Sequence, residues 1–197
     1  MHGFVFRTSQ FLFINDMPVR ILFVCYENIC RSPMAEGVFR HLSDMHGVAG
    51  HFEVMSAGTV CYQSGSFPDP RAIRAAARYG FDISENRAQC IHDLDLSGFD
   101  RVFVMDCENY HDVLETLGVE GTPVHMMTDF ADAVAGIEIE DPYYGPEEGF
   151  DSTLSMLAHC VDGILRHMRE MHGIVPEDAG AVISSETVQA AGNDSGR

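Results

Sequence analysis

The chain is short of positive charge: 12 basic residues stand against 30 acidic ones in 197, a formal net charge of −18. A general nucleic-acid or anionic-membrane binder needs a basic face, so neither partner is expected here. The chain also lacks any run of 18 or more apolar residues, which excludes a membrane-spanning helix. Six cysteines, at 25, 30, 61, 90, 107 and 160, show no zinc-ligand spacing and are too sparse for a disulfide scaffold. Plain reduced thiols in a cytoplasmic protein are therefore expected for Cys61, Cys90, Cys107 and Cys160. The ten histidines show no ligand spacing either, and no metal site is assigned.

What is present fits one domain of ordinary size, with 46% hydrophobic residues to build a core. Residues 1–16 hold Arg7 mid-run and no small-residue cleavage site, so a secretory signal is not expected. Met17-Pro18-Val19-Arg20 reads like a natural start, which makes 1–16 an extension, disordered or arising from a misassigned start codon. The domain is expected over 17–172. Residues 173–197, rich in Gly, Ala, Ser and acid and without sustained period, read as a disordered acidic tail.

Between these limits, short apolar runs alternate with helical periodicity. Strands are expected at Arg20 to Val24, Phe52 to Ser56, Arg101 to Met105 and Val124 to Met127. Ser32-Pro33 reads as N-cap and first helical residue of a helix running to about His46, with Met34, Val38, Phe39, Leu42 and Met45 on one face. Asp69-Pro70 opens a second helix through Tyr79, a third follows Asp106 to about Leu117, and a fourth runs from Asp151 to about His172. Asp129 to Gly149 reads as a long loop of the sort that carries function. Alternating strands and helices give an α/β fold with a parallel sheet, right-handed crossovers and a ligand site at the carboxyl ends of the strands.

The first of those ends carries the chemistry. Cys25-Tyr26-Glu27-Asn28-Ile29-Cys30-Arg31-Ser32 leaves a buried strand and enters a helix. A loop of this length can curl its amides around one oxyanion while the helix N-terminus adds partial positive charge. Arg31 can grip two oxygens with its planar fork, and Cys25 sits as nucleophile in a field that favours the thiolate.

Further segments surround this loop in a fixed order: Ala35-Glu36, Ser56-Ala57-Gly58-Thr59, Asp69-Pro70-Arg71-Ala72, Asp82-Ile83-Ser84, Arg87-Ala88, Val104-Met105-Asp106 with Asn109, and Asp141-Pro142-Tyr143-Tyr144-Gly145. With the Cys-x5-Arg loop, this set resembles the low-molecular-weight protein tyrosine phosphatases over about residues 19–170. The resemblance implies a three-layer sandwich around a four-stranded parallel sheet of order 2-1-3-4. It implies hydrolysis of phosphotyrosine without metal or other cofactor. The implied partner is a phosphotyrosine-bearing protein and, by analogy, a cognate bacterial tyrosine kinase.

Carried over residue by residue, the resemblance makes Cys25 the nucleophile that becomes a cysteinyl phosphate. Arg31 and the amides of Tyr26, Glu27, Asn28, Ile29 and Cys30 stabilise the phosphoryl oxygens, and Asp141 is general acid, then general base. Ser32 would donate to the thiolate, and Asn28 would brace the loop, taking the left-handed backbone that Asn tolerates well. Tyr143 and Tyr144 would wall one side of a ring slot, and Tyr62 another. Cys30 matches the second loop cysteine of many members, implying disulfide protection of Cys25. Asp106 reads as a helix cap or a partner of the loop.

Two positions depart from the family pattern. Glu27 stands where Gly is usual, and a carboxylate there opposes a phosphate dianion unless it faces solvent or meets a cation. Asn86 stands where a His usually precedes the Arg of Arg87-Ala88; it can hydrogen-bond in a bracing network but cannot titrate. Two other functions remain open. A thiol-dependent arsenate reductase shares the fold and loop but needs two further shuttle cysteines, and Cys90 and Cys107 are 17 residues apart. A catalytically impaired phosphate-binding module would follow if Glu27 spoils turnover.

Overall fold

The computed structural model describes residues 17–118 and 121–176. The expected extension at 1–16 lies outside these residues, as does the tail from 177 on.

Four parallel strands form one sheet of order β2-β1-β3-β4: β1 Val19–Cys25, β2 Phe52–Gly58, β3 Arg101–Val104 and β4 Val124–Met126. β1 pairs along its full length with β2, in register from Val19 opposite Phe52 to Cys25 opposite Gly58, and with β3 from Ile21 to Val24. The expected strand order is the observed one. β1 is apolar without alternation because both of its faces are covered. Ile21 and Phe23 join the core beneath one helical layer, while Leu22 and Val24 join a second core with Val102, Val104 and Val113. Burying each such side chain contributes about 1.5–3 kcal/mol.

The helices are α1 Arg31–Met45, α2 Pro70–Arg78, α3 Cys107–Leu117 and α4 Glu147–His172. α1 and α4 pack on the Phe23 face, where Phe39 and Phe103 lie 6.0 and 5.7 Å from the Phe23 ring. α4 begins four residues earlier than its apolar periodicity suggests, inside the expected loop. Glu147 and Glu148 occupy its first turn, where the helix dipole favours acid, and Arg74 and Arg78 of α2 pair with Glu147. At Gly163 any Cβ would run into the carbonyl of Phe130, so glycine lets α4 lie flat against the turn at Met127–Phe130.

Two expectations are corrected. Ser32 does not cap α1: the helix already includes Arg31, and Cys30 holds the N-cap position without a side-chain cap. The Ser32 hydroxyl is drawn instead toward the sulfur of Cys25. Cys61 and Cys90, expected as plain thiols, form a disulfide with Cα atoms 5.0 Å apart. The segment after β2 folds back along residues 88–90, with Gly65 N donating to Ala88 O at 2.8 Å and Ala88 N to Ser66 O at 2.9 Å. That closure, across 29 residues of sequence, brings the two sulfurs together. Cys25, Cys30, Cys107 and Cys160 are free.

Candidate active site

Cys25 ends the central strand at the carboxyl edge of the sheet, where the order reverses between β2 and β3. From there the chain makes a loop whose carbonyls are turned outward into the protein. Thr59 N donates to Cys25 O at 2.9 Å, Val60 N to Tyr26 O at 3.0 Å and Asp69 N to Ile29 O at 2.8 Å. The amides of residues 26–30 donate to no other described backbone group. Five successive amides without a backbone acceptor on one tight loop make an anion nest.

Gly58 makes the close approach possible. A Cβ there would stand 2.8 Å from the Tyr26 carbonyl oxygen and from the Glu27 carbonyl carbon. Any other residue would push the β2 end off the loop.

Asn28 sets the curvature, with φ of 58° in the left-handed region. Its side chain is fully engaged: Nδ2 donates to Ser32 Oγ at 2.8 Å and Ser56 Oγ at 2.9 Å, and Oδ1 accepts from Gln89 N at 2.8 Å. Ser56 in turn donates to Glu36 Oε2 at 2.6 Å, and Glu36 is paired with Arg40. Asn86 contributes no side-chain bond to this network; its backbone carbonyl accepts from Arg87. The brace therefore runs through Ser56 and the Gln89 amide.

Ser32 Oγ lies 3.0 Å from Cys25 Sγ, with the Ala57 carbonyl at 3.3 Å as a second acceptor for its proton. Since Asn28 already donates to this oxygen, the Ser32 proton is free to point at sulfur when sulfur is charged. Burial pushes the Cys30 thiol far above its ordinary range, with the Cys25 and Asp141 charges adding to the effect.

Arg31 is 3% exposed and reaches across the carboxyl edge of the sheet. Nη1 donates to Asp106 Oδ2 at 2.6 Å and to the Ile139 carbonyl at 2.9 Å, and Nη2 donates to Asp141 Oδ2 at 2.8 Å. Nε has no partner among the described residues. Burial alone would weaken the guanidinium charge, but Cys25, Asp141 and Asp106 outweigh it and raise its pKa. Asp106 does double duty, since its Oδ1 caps α3 by accepting from Asn109 N at 2.7 Å.

Asp141 sits on the loop before α4, its Oδ1 accepting from Tyr143 N at 3.1 Å. Arg71 holds this loop: its guanidinium donates to the carbonyls of Tyr143 and Gly145 and stacks over the Phe150 ring at 4.5 Å. Asp69 anchors Arg71 through both oxygens. A small cleft brings together Cys25, Tyr26, Glu27, Ile29, Cys30, Asp141, Tyr143 and Tyr144. A cavity of about 670 Å³ lies elsewhere, between α4 and residues 129–133, but offers no cysteine or serine.

A family profile described as low molecular weight phosphotyrosine protein phosphatase matches residues 20–172. The chain belongs to that family. It is 34% identical over 158 residues to a low molecular weight protein-tyrosine-phosphatase of Streptomyces coelicolor, covering 78% of this chain and 96% of the relative. Identity is also 34% over 151 residues to the low molecular weight phosphotyrosine protein phosphatase of Schizosaccharomyces pombe, covering 75% and 96%. Among solved structures, a protein tyrosine phosphatase from Entamoeba histolytica superposes with a TM-score of 0.73 at 30% identity, covering 77% of this chain and 97% of that one.

Within this low molecular weight phosphatase, the structure distributes the expected residues unevenly. Tyr143 and Tyr144 meet edge to face at the cleft mouth, ring centroids 5.0 Å apart, with Tyr144 96% exposed. Tyr62 is 83% exposed and is not among the cleft residues. Tyr26, read in sequence only as a loop amide, supplies a third cleft ring. The roles of Arg71, Ser56 and the Ile139 carbonyl had no sequence signal beyond the motifs containing or preceding them, because each acts on a segment far away in the chain.

Proposed function

We propose that the chain hydrolyses phosphotyrosine through a cysteinyl-phosphate intermediate, with Cys25, Arg31 and Asp141 as its catalytic residues. The observation that carries this reading is the ring of unpaired loop amides around a cysteine, with the unpartnered Nε of a buried arginine beside it. The Cys25 thiolate attacks phosphorus, forming an S–P bond as the P–O bond to the ring breaks. Asp141 gives its proton to the departing phenolate. Water then attacks phosphorus, Asp141 takes a proton from it, and the S–P bond breaks to release inorganic phosphate and the thiolate. Loop amides and Arg31 hold the equatorial oxygens throughout, and Ser32 stabilises the sulfur as nucleophile and leaving group. No metal or other cofactor enters any step.

Tyr26, Tyr143 and Tyr144 offer apolar faces to an aryl ring, which favours phosphotyrosine over the shorter phosphoserine. A protein tyrosine kinase is the class of enzyme that must supply such a substrate. A cytoplasmic setting suits a free Cys25, although the Cys61–Cys90 bond removes the argument from uniformly reduced cysteines. Arsenate reduction is disfavoured because Cys90 is bonded to Cys61 and the Cys107 thiol is raised above its ordinary pKa by its hydrogen bond to Glu138, so neither is set to relay a disulfide from Cys25.

The test is para-nitrophenyl phosphate turnover with mass spectrometry of the acid-quenched enzyme. The native chain is expected to turn over and carry a phosphate adduct on Cys25, and Cys25→Ser to lose turnover. Full activity in Cys25→Ser would end the covalent mechanism.

A further inference from the structure

Glu27 is half-buried and lines the cleft beside Cys25 and Tyr26. It makes no ion pair and no side-chain hydrogen bond with any described residue. The arginines bonded to cleft residues are already committed: Arg31 to Asp106 and Asp141, Arg71 to Asp69. The lining residues thus contain two carboxylates, Glu27 and Asp141, and no cation. Glu108, in the first turn of α3, acts on Tyr26 in the same sense as Glu27. The Tyr26 hydroxyl is raised above its ordinary pKa by desolvation, then by Tyr62, Glu108, Glu27 and Tyr144.

Charge therefore changes sign across this site. The loop amides attract a phosphate dianion, whereas the cleft lining adds the unpaired carboxylate of Glu27 beside three tyrosines. An aryl phosphate alone meets that carboxylate as a repulsion. A peptide bringing its own cation meets it as a partner, and a partly desolvated pair is worth more there than on open surface. An Arg or Lys beside the phosphotyrosine has the length to reach it, its stem lying on the tyrosine faces.

We propose that Glu27 is a specificity determinant that selects phosphotyrosyl segments with an arginine or lysine next to the phosphotyrosine. This rests on the phosphatase reading of the same site and adds the class of substrate.

The experiment compares kcat/KM for phosphotyrosyl peptides of one length, carrying Arg, Ala or Glu at the flanking positions, with para-nitrophenyl phosphate as the peptide-free control. Native enzyme, Glu27→Gln and Glu27→Lys are measured at low and high salt. Native enzyme is expected to favour the Arg peptide over the Glu peptide by roughly tenfold at low salt, the ratio shrinking as salt screens the pair. Glu27→Gln is expected to level the series and raise turnover of the control, and Glu27→Lys to invert the preference. The same charge preference in native and Glu27→Gln, or no preference in the native enzyme with normal control turnover, would overturn the inference and leave the phosphatase reading standing. Absence of turnover of both the control and every peptide would overturn both.

Discussion

Arg31 and Asp141, 110 residues apart, are joined by a bond of 2.8 Å from Nη2 to Oδ2. The residue proposed to grip phosphate thus holds the residue proposed to protonate the leaving group. An arriving phosphate dianion would compete with the Asp141 carboxylate for that nitrogen, which would release Asp141 from the pair and let it take up the proton that it gives to the leaving oxygen in the proposed mechanism. Asp106 and the Ile139 carbonyl would continue to hold the guanidinium by its other terminal nitrogen.

Asp141→Asn is expected to lower kcat for phosphotyrosine by about 10²–10⁴, the usual worth of a general acid. Affinity for inorganic phosphate should be kept or strengthened, because a competing anion is removed. Steady-state kinetics with phosphate inhibition separates the two effects, and unchanged kcat would remove Asp141 from the mechanism.

Asp106→Ala removes the charged partner of a buried arginine and the cap of α3 together. A loss of about 2–4 kcal/mol in stability is expected, the cap accounting for about 1 of it. Asp106→Asn should lose less, since an amide still caps. Urea denaturation of both variants measures the difference; equal losses would show that the cap on α3 contributes nothing, and no loss in either would show that the Arg31 charge does not depend on this carboxylate.

Asn28→Gly retains a backbone suited to φ of 58° but gives up three hydrogen bonds. Asn28→Ala gives up the bonds and adds left-handed strain of about 1–2 kcal/mol. Both are expected to lower kcat/KM, Ala more than Gly. Matching activities would mean that the backbone conformation contributes nothing to the loop.

Opening the Cys61–Cys90 disulfide frees a loop of about thirty residues in the unfolded chain. The chain-entropy model predicts a loss of roughly 3–4 kcal/mol. Urea midpoints of the native chain and Cys61→Ser, each with and without reductant, report it. A reductant effect that persists undiminished in Cys61→Ser would assign it to another thiol.

Burial by itself would raise the Asp69 carboxyl, but the hydrogen bonds from Arg71 more than offset this and hold it below the ordinary range. Its folded pKa is thus lower than its unfolded one. The associated stability is present above the ordinary value of about 3.9 and disappears as pH falls through the depressed folded value. Asp69→Asn, which can still cap α2, should flatten the acid limb of a plot of unfolding free energy against pH. An unaltered limb would show that the pair carries no linkage.

Much of this was visible in the residues. The apolar run at Arg20 to Val24 announced a strand covered on both faces, and Cys25 through Ser32 declared its loop because anion binding there uses backbone geometry that a short local sequence encodes. The start of α4 was missed because Glu147 and Glu148 are polar: their helical state is set by the dipole and by arginines on α2, not by apolar periodicity. Ser32 looked like a cap because Ser-Pro is a helix-start signal. In the fold its oxygen accepts from Asn28 and its proton faces the Cys25 sulfur, partners that a helix-start signal does not encode.

By itself, then, the sequence determined the parallel α/β fold and the phosphate loop and singled out the Asp141 segment, since each rests on local patterning or on a contiguous motif. The tertiary structure alone decided which groups meet. It joined Arg31 to Asp106 and Asp141, set Gln89 under Asn28, closed Cys61 onto Cys90, left Tyr62 outside the cleft lining and placed Glu27 within it. Those outcomes depend on the relative placement of distant segments packed on a common sheet edge, where angles and distances of a few ångströms select the partner and chemical type does not.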